Sequence, residues 1–275
     1  MANLRLYTIY KYFQLSIKHK SSFLNLLNLN YKYLEIKKGI YSKHKLNQII
    51  PNTIKLNSQT LTNFKINPKI NYPIILKPDW GESSLSIFKI NNSEELNKII
   101  KEKNIIITNY FIQEFDNTAI EYDILFIKNI QTNKLEISEI TTVSTQNKDK
   151  ITGIYNNSIY QTITKQFTPL ELIQIKNNLN WLNTKFNVGK ITLKANSKQD
   201  LLKNLVKVIE INILFPLPNS IHTKANTKQK KQLINNHLEK IIKLSKQTKN
   251  QITLIETLEF YIRNQIHKYK LLNIK

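Results

Sequence analysis

Three short segments of this sequence carry side chains whose types and spacing could do chemistry. The first runs from Lys77 through Asp79 and Gly81 to Ser83 and Ser84. A lysine leaving a strand, followed by a loop of small residues, can neutralise phosphate charge while loop amides bind the phosphate oxygens. The second is Gln113-Glu114-Phe115, with Glu121 a few residues on. An edge strand ending in a polar linker can pair its backbone with an adenine ring, and a nearby carboxylate can accept hydrogen bonds from ribose hydroxyls. The third is Glu210-Ile211-Asn212. Alternate residues of a strand face the same side, so Glu210 and Asn212 project together from an otherwise apolar run. A carboxylate beside an amide oxygen suits magnesium, a hard cation that prefers oxygen ligands. Each segment also has a plain structural reading: a solvated strand-end lysine, a strand–turn–strand with exposed acids, and a polar pair at a strand edge.

The elements that must position these residues are legible from residue 72 onward. Pro73 to Lys77 is a short apolar run closed by Pro78, which predicts a buried strand, and Leu85 to Ile90 alternates with period two. Asn92 with Glu95 predicts a capping box opening a helix from about Ser93 to Lys103. Ile105 to Ile107, Phe111 to Glu114, Glu121 to Lys128 and Leu135 to Val143 read as strands. Thr168-Pro169-Leu170-Glu171 is a second capping box, with proline at the first helical position. The helix after it puts Leu172, Ile175, Leu179 and Leu182 on one face. Val188 to Ala195 and Val206 to Ile213 are strands, and the tail from about Thr227 is two helices. Upstream, a short helix is expected within Leu24 to Leu34 and another after Gly39, whereas Ile54 to Asn71 shows no clear element. Intermixed strands and helices predict an α+β or α/β fold rather than a bundle or a sandwich.

Composition narrows the function classes. The chain has 275 residues, enough for one large domain or two coupled ones, and no cysteine. A disulfide framework, a thiolate nucleophile and a cysteine-based metal site are therefore excluded. The five histidines, His19, His44, His222, His237 and His267, show no helical ligand spacing. No stretch approaches the roughly 18 apolar residues of a membrane helix, so no membrane partner is expected. The basic N-terminal segment holds one arginine, Arg5, where organelle presequences are arginine-rich, and the expected location is the cytoplasm. The formal charge of +22 concentrates anions near the surface, but the excess of Lys, Asn and Ile is also what AT-rich coding produces. Because the lysines are spread along the whole chain, no nucleic-acid partner is expected.

In order and type, the three segments resemble the nucleotide site of the ATP-grasp superfamily, specifically a bacterial carboxylate–amine ligase-like group related to D-alanine–D-alanine ligase. Tyr72 to Ile87 resembles the group's lysine-and-glycine loop, and Gln113 to Tyr122 its hinge. Gly189 to Lys194 resembles its Gly-Arg-Phe-Asp-Leu-Arg strand, Glu210-Ile211-Asn212 its Glu-Leu-Asn strand, and Ser42-Lys43 a Ser-Lys that precedes the first subdomain. The match covers roughly residues 39–220. It implies two α+β subdomains clasping a nucleotide. Residues 1–70 would form an N-terminal segment, 71–225 the ATP-grasp domain (divided at 115/116), and 226–275 C-terminal helices. It also implies ATP and Mg2+ as cofactors. Lys77, Gly81, Ser83 and Ser84 would hold the phosphates, Gln113, Glu114 and Phe115 adenine, and Glu121 ribose. Glu210 and Asn212 would hold magnesium, and Lys190 and Lys194 would serve catalysis. The implied reaction activates a small carboxylate as an acyl phosphate, which an amine then attacks.

This chain departs from that pattern in ways that bear on catalysis. Of the loop glycines only Gly81 is kept, with Ser84 and Ser86 at two later positions. Serine lacks glycine's freedom at positive φ. The aspartate of the Phe-Asp-Leu-Arg strand is Thr192, a poorer magnesium ligand, and its arginines are Lys190 and Lys194, which cannot clamp an anion bidentately. Ile137 to Thr142 resembles the group's Ser-Ile-Thr-Glu-Lys strand without its lysine. Two functions follow from the resemblance, an ATP-dependent ligase and a non-catalytic descendant that binds nucleotide as a scaffold or regulator.

Overall fold

The computed structural model describes residues 2–22, 25–81, 86–118, 120–145, 158–223, 226–248 and 252–272. Among these residues nine strands form two antiparallel sheets. The first is built from β1 (Ser58–Thr60), β2 (Ile74–Pro78), β3 (Phe88–Ile90) and β4 (Tyr110–Glu114), in the order β1-β4-β2-β3. The second holds β5 (Ile120–Lys128), β6 (Leu135–Ser144), β7 (Ile159–Thr162), β8 (Val188–Ala195) and β9 (Lys207–Asn212), in the order β7-β6-β5-β8-β9.

Alternation along the central strands divides the second sheet into two chemically different faces. Residues Tyr122, Ile124 and Phe126 of β5 stand opposite Leu193, Ile191 and Gly189 of β8. Together with Ile140, Val208 and Ile211 they form the larger hydrophobic core. Helix α6 (Pro169–Asn178) covers that face with the 3-10 turn Asn180–Leu182 and α7 (Lys198–Leu202). The other face carries Glu121 and Asp123 on β5, and Lys190, Thr192 and Lys194 on β8. A smaller core under the first sheet packs α4 (Leu61–Ile66) and α5 (Ser93–Glu102) against Ile74, Leu76 and Ile112. At the N-terminus, α1 (Ala2–Lys18) and α2 (Asn25–Asn28) pack against α8 (Thr227–Lys246). Helix α9 (Leu254–Leu272) lies on the 3-10 turn Ile36–Lys38. Among the described residues no helix is long and apolar enough to cross a membrane.

The Thr168 capping box forms completely, with Thr168 Oγ1 accepting from Glu171 N and the Glu171 carboxylate accepting from Thr168 N. Thr168→Ala should lower the unfolding free energy by about 1 kcal/mol in urea titration. The Asn92 box forms only by half. Asn92 Oδ1 accepts from Glu95 N, but the Glu95 carboxylate takes the N–H of Asn91, one residue too early.

Several expectations are corrected. Ile105 to Ile107 is not a strand; it leads into a 3-10 turn at Ile107–Asn109. The strand expected over Leu85 to Ile90 is only Phe88–Ile90, with Leu85 outside the described residues. Residues 54–71, where no element was legible, hold β1 and α4, so the first sheet begins upstream of residue 71. Strand β4 is not an edge strand, because β1 pairs with its other side.

Candidate functional site

The site lies where the first sheet meets the polar face of the second. Lys77, at the end of β2, is only 3% exposed. Its Nζ donates to Gln113 Oε1 on β4 at 2.7 Å and to the Ile209 carbonyl of β9 at 3.2 Å, and it lies 5.2 Å from the Phe111 ring centroid. Gln113 is equally buried and donates to Asn47 Oδ1 and to the Ile209 carbonyl, both at 3.2 Å. Lys77 and Gln113 therefore link the two sheets. Burial pulls the Lys77 ammonium down to about 8, and the nearby Lys43 charge adds to this against the opposing carboxylates of Glu210 and Glu121.

Glu210 and Asn212 share one face, as their spacing predicts, and Thr192 of β8 stands opposite Glu210. Their polar atoms are turned toward their own chain. Lys43 Nζ donates to Glu210 Oε2 at 2.7 Å, Asn212 Nδ2 donates to Glu210 Oε1 at 2.7 Å, and Tyr41 Oη donates to Asn212 Oδ1 at 2.9 Å. Burial alone would raise the Glu210 carboxyl. The Lys43 and Lys77 charges, with the bonds from Lys43 and Asn212, outweigh it and hold the group at about 2.

A second cluster centres on the buried Asp123, which is aligned with Thr192 across β5 and β8. Thr192 Oγ1 and Asn219 Nδ2 each donate to one of its oxygens. Lys190 Nζ is 3.4 Å from Asp123 Oδ2 and donates to Asn219 Oδ1 at 3.0 Å. Buried Glu139 on β6 accepts from Thr141 Oγ1 and Ser220 N, both at 3.1 Å. Burial, followed by the charges of Asp123, Glu121 and Glu210, pushes the Tyr160 phenol on β7 far above its ordinary value.

The hinge between the sheets carries Phe115, with Lys89 Nζ 4.3 Å and Lys194 Nζ 5.7 Å from its ring centroid. Lys194 Nζ also donates to the Asp116 carbonyl at 2.7 Å. Glu114 faces the first sheet's edge, its carboxylate accepting from Asn57 Nδ2 at 3.1 Å and its N–H donating to the Asn57 carbonyl at 2.9 Å. That backbone donor is thus taken by the chain itself.

Of the loop after Lys77, Gly81 is described, whereas Ser83 and Ser84 lie outside the described residues. Gly81 has φ +137°, and a Cβ there would come within 2.8 Å of Leu271 Cδ1 on α9. Ser86 adopts φ +55°, the left-handed region in which the resemblance has glycine, and its hydroxyl donates to the Leu271 carbonyl at 2.9 Å. The C-terminal helix therefore packs directly against the ends of this loop.

The structure thus brings Lys77, Gln113, Glu210 and Asn212 together, puts Glu121 and Lys190 on the adjoining face, and sets Phe115 and Lys194 at the hinge. Lys43, Asp123, Tyr41 and Asn219 complete the site without having been singled out as site residues in the sequence. The i, i+2 spacing of Glu121 and Asp123 was the available signal for one of them.

Two antiparallel sheets joined by a hinge, with a strand-end lysine on one facing the polar side of the other, make this an ATP-grasp fold. Carboxyaminoimidazole ribonucleotide synthase from Aspergillus clavatus, solved with ATP, superposes with a TM-score of 0.53 at 11% identity, over 75% of this chain and 52% of its own. The biotin carboxylase domain of the Hydrogenobacter thermophilus 2-oxoglutarate carboxylase, solved with MgADP, ADP and bicarbonate, gives 0.52 at 11% identity, over 78% and 47%. The chain spans about half the length of these two structures. No family model matches the sequence, and no curated protein matches it.

The magnesium implied by the resemblance does not fit the donors present. Glu210 already carries an ammonium on one oxygen and an amide on the other. Thr192 supplies a hydroxyl where a carboxylate would serve a metal, and Asp123 is filled by Thr192, Asn219 and Lys190. Among the described residues no group of three histidine or acidic side chains is arranged to hold a metal ion.

Proposed function

We propose that this chain binds ATP in the cleft between the two sheets, with the phosphates against Lys77, the ribose near Glu121 and the base near Phe115. One observation carries the reading. Among the described residues the buried Lys77 ammonium is bonded only to the neutral oxygens of Gln113 and Ile209, and burial outweighs the Glu210 and Glu121 charges that act on it. Burying an ammonium is costly unless a counter-charge reaches it, and a polyphosphate supplies one. The hinge phenylalanine offers a flat apolar face between two lysines, and the fold is one in which a relative has been solved with ATP.

Calorimetric titration with ATP tests the proposal. The parent chain should bind, and Lys77→Met should weaken binding by at least about tenfold, or 1.4 kcal/mol. Equal binding by both proteins would overturn it.

The ligase reading has its own supporting observation, since Lys190 and Lys194, four residues apart on β8, lie on the same polar face, Lys190 beside Asp123 and Lys194 at the hinge. In that reaction a carboxylate oxygen attacks the γ-phosphorus and ADP leaves. An amine then attacks the acyl carbon of the acyl phosphate, and phosphate leaves. The two lysines would draw in the anionic substrate and neutralise charge in the cleft. Release of ADP dependent on both an acid and an amine distinguishes this reading from binding without turnover.

A further inference from the structure

We infer that this chain binds the phosphates of a nucleoside triphosphate without a divalent cation, the Lys43 ammonium taking the position on Glu210 that a metal would occupy. The inference rests on the reading of the cleft as an ATP site and concerns the charge that site supplies.

Lys43 is anchored where it stands. It begins α3 (Lys43–Gln48), whose N-cap is Ser42. Asp79, two residues beyond Lys77, fastens this helix start through three bonds. Ser42 Oγ donates to Asp79 Oδ1 at 2.8 Å, His44 N donates to the same oxygen at 2.7 Å, and Lys43 N donates to the Asp79 carbonyl at 2.7 Å. Lys43 and Lys77 thus belong to one hydrogen-bonded unit. The Lys43 side chain is 6% exposed, and its Nζ is 2.7 Å from Glu210 Oε2.

Chemistry then favours the ammonium over a metal. Magnesium demands a near-octahedral shell of oxygens at about 2.0–2.1 Å. Here the candidate oxygens of Glu210, Asn212 and Asp123 already accept N–H or O–H bonds from the same chain. A cation approaching Glu210 would also meet the full charge of Lys43 inside a poorly solvated cleft, where like charges repel strongly. A lysine ammonium, by contrast, is a compact charge with three rotatable donors and no fixed coordination geometry. With Lys43, Lys77, Lys190 and Lys194 facing the cleft, positive charge for a polyphosphate is provided by side chains alone.

The test is ATP titration of the full chain in excess EDTA and again in millimolar magnesium, for the parent, Lys43→Arg and Lys43→Met. The parent affinity should change by less than about threefold between the two buffers. Lys43→Arg should behave like the parent, since it keeps the charge. Lys43→Met should lose at least about tenfold in EDTA and regain part of it with magnesium, because Glu210 is then free to ligate. Parent binding that requires magnesium would overturn this inference and leave the ATP site standing. Parent binding in neither buffer would overturn both. Thermal unfolding of each variant shows that it is folded before titration.

Discussion

Lys77→Met should be more stable than the parent chain by about 1–2 kcal/mol at pH 7, although it is expected to lose ATP binding. Burial holds the Lys77 ammonium at about 8 instead of its ordinary 10.5. One pKa unit corresponds to about 1.4 kcal/mol, so the folded ligand-free chain carries a penalty on the order of 3 kcal/mol for this charge. Methionine keeps the stem beside Phe111 and removes the charge, while the bonds to Gln113 and Ile209 are lost, which reduces the net gain. The pH dependence gives a second readout. Below pH 8 the lysine is protonated in both states, and the penalty is complete. Between 8 and 10.5 the folded state has released the proton that the unfolded state keeps, so parental stability rises with pH there. Urea unfolding at pH 7 and 9.5 should show this rise in the parent and not in the variant. A less stable variant at pH 7 would show that the neutral partners of Lys77 already satisfy it.

Gly189→Ala should cost about 3 kcal/mol. A Cβ at Gly189 would sit 2.4 Å from Phe126 Cζ, with Cε1 and Cε2 at 3.0 and 3.2 Å. The ring lies over β8 because Phe126 and Gly189 are partners across the antiparallel pair. Phe126 is fully buried and packs beside Phe186, so it has little room to withdraw, and forcing extra volume into a close-packed core costs roughly 1–3 kcal/mol or more. Denaturant titration measures the loss directly. The double variant Gly189→Ala with Phe126→Leu should recover part of it, since leucine vacates the ring tip. No recovery would place the strain in the backbone of β8 instead.

Much of the fold was legible because alternation is strong where a sheet has one wet and one dry face. Strands β2, β5, β6, β8 and β9 were located to within a residue or two, and the site residues stood out because Glu210, Asn212 and Glu121 interrupt that pattern. Illegible elements had weaker local signals. Helix α1 packs Leu4, Tyr7, Tyr12 and Leu15 but also exposes Leu6, Ile9, Tyr10, Phe13 and Ile17, and has no acid in its first turn, which blurs the helical period and hides the start. Strands β1 and β7 are three and four residues long, and their place comes from pairing with distant strands. The partnership of Lys43 with Glu210 spans 167 residues, a distance over which no spacing rule operates. Helix α9 against the loop at Gly81 and Ser86 is tertiary in the same way.

The bonds on β9 also bear on aggregation. This strand is the outermost of its sheet, the kind of open edge that recruits a strand from another molecule. Its backbone is met from within: Val208 N donates to the Ile54 carbonyl, and the Ile209 carbonyl accepts from both Lys77 and Gln113. The opposite margin is the short β7, and the first sheet ends in β1 and β3, each three residues long. The same lysine that faces the cleft therefore blunts an adhesive edge, and Lys77→Met, though more stable, should be the more prone of the two to self-associate on storage.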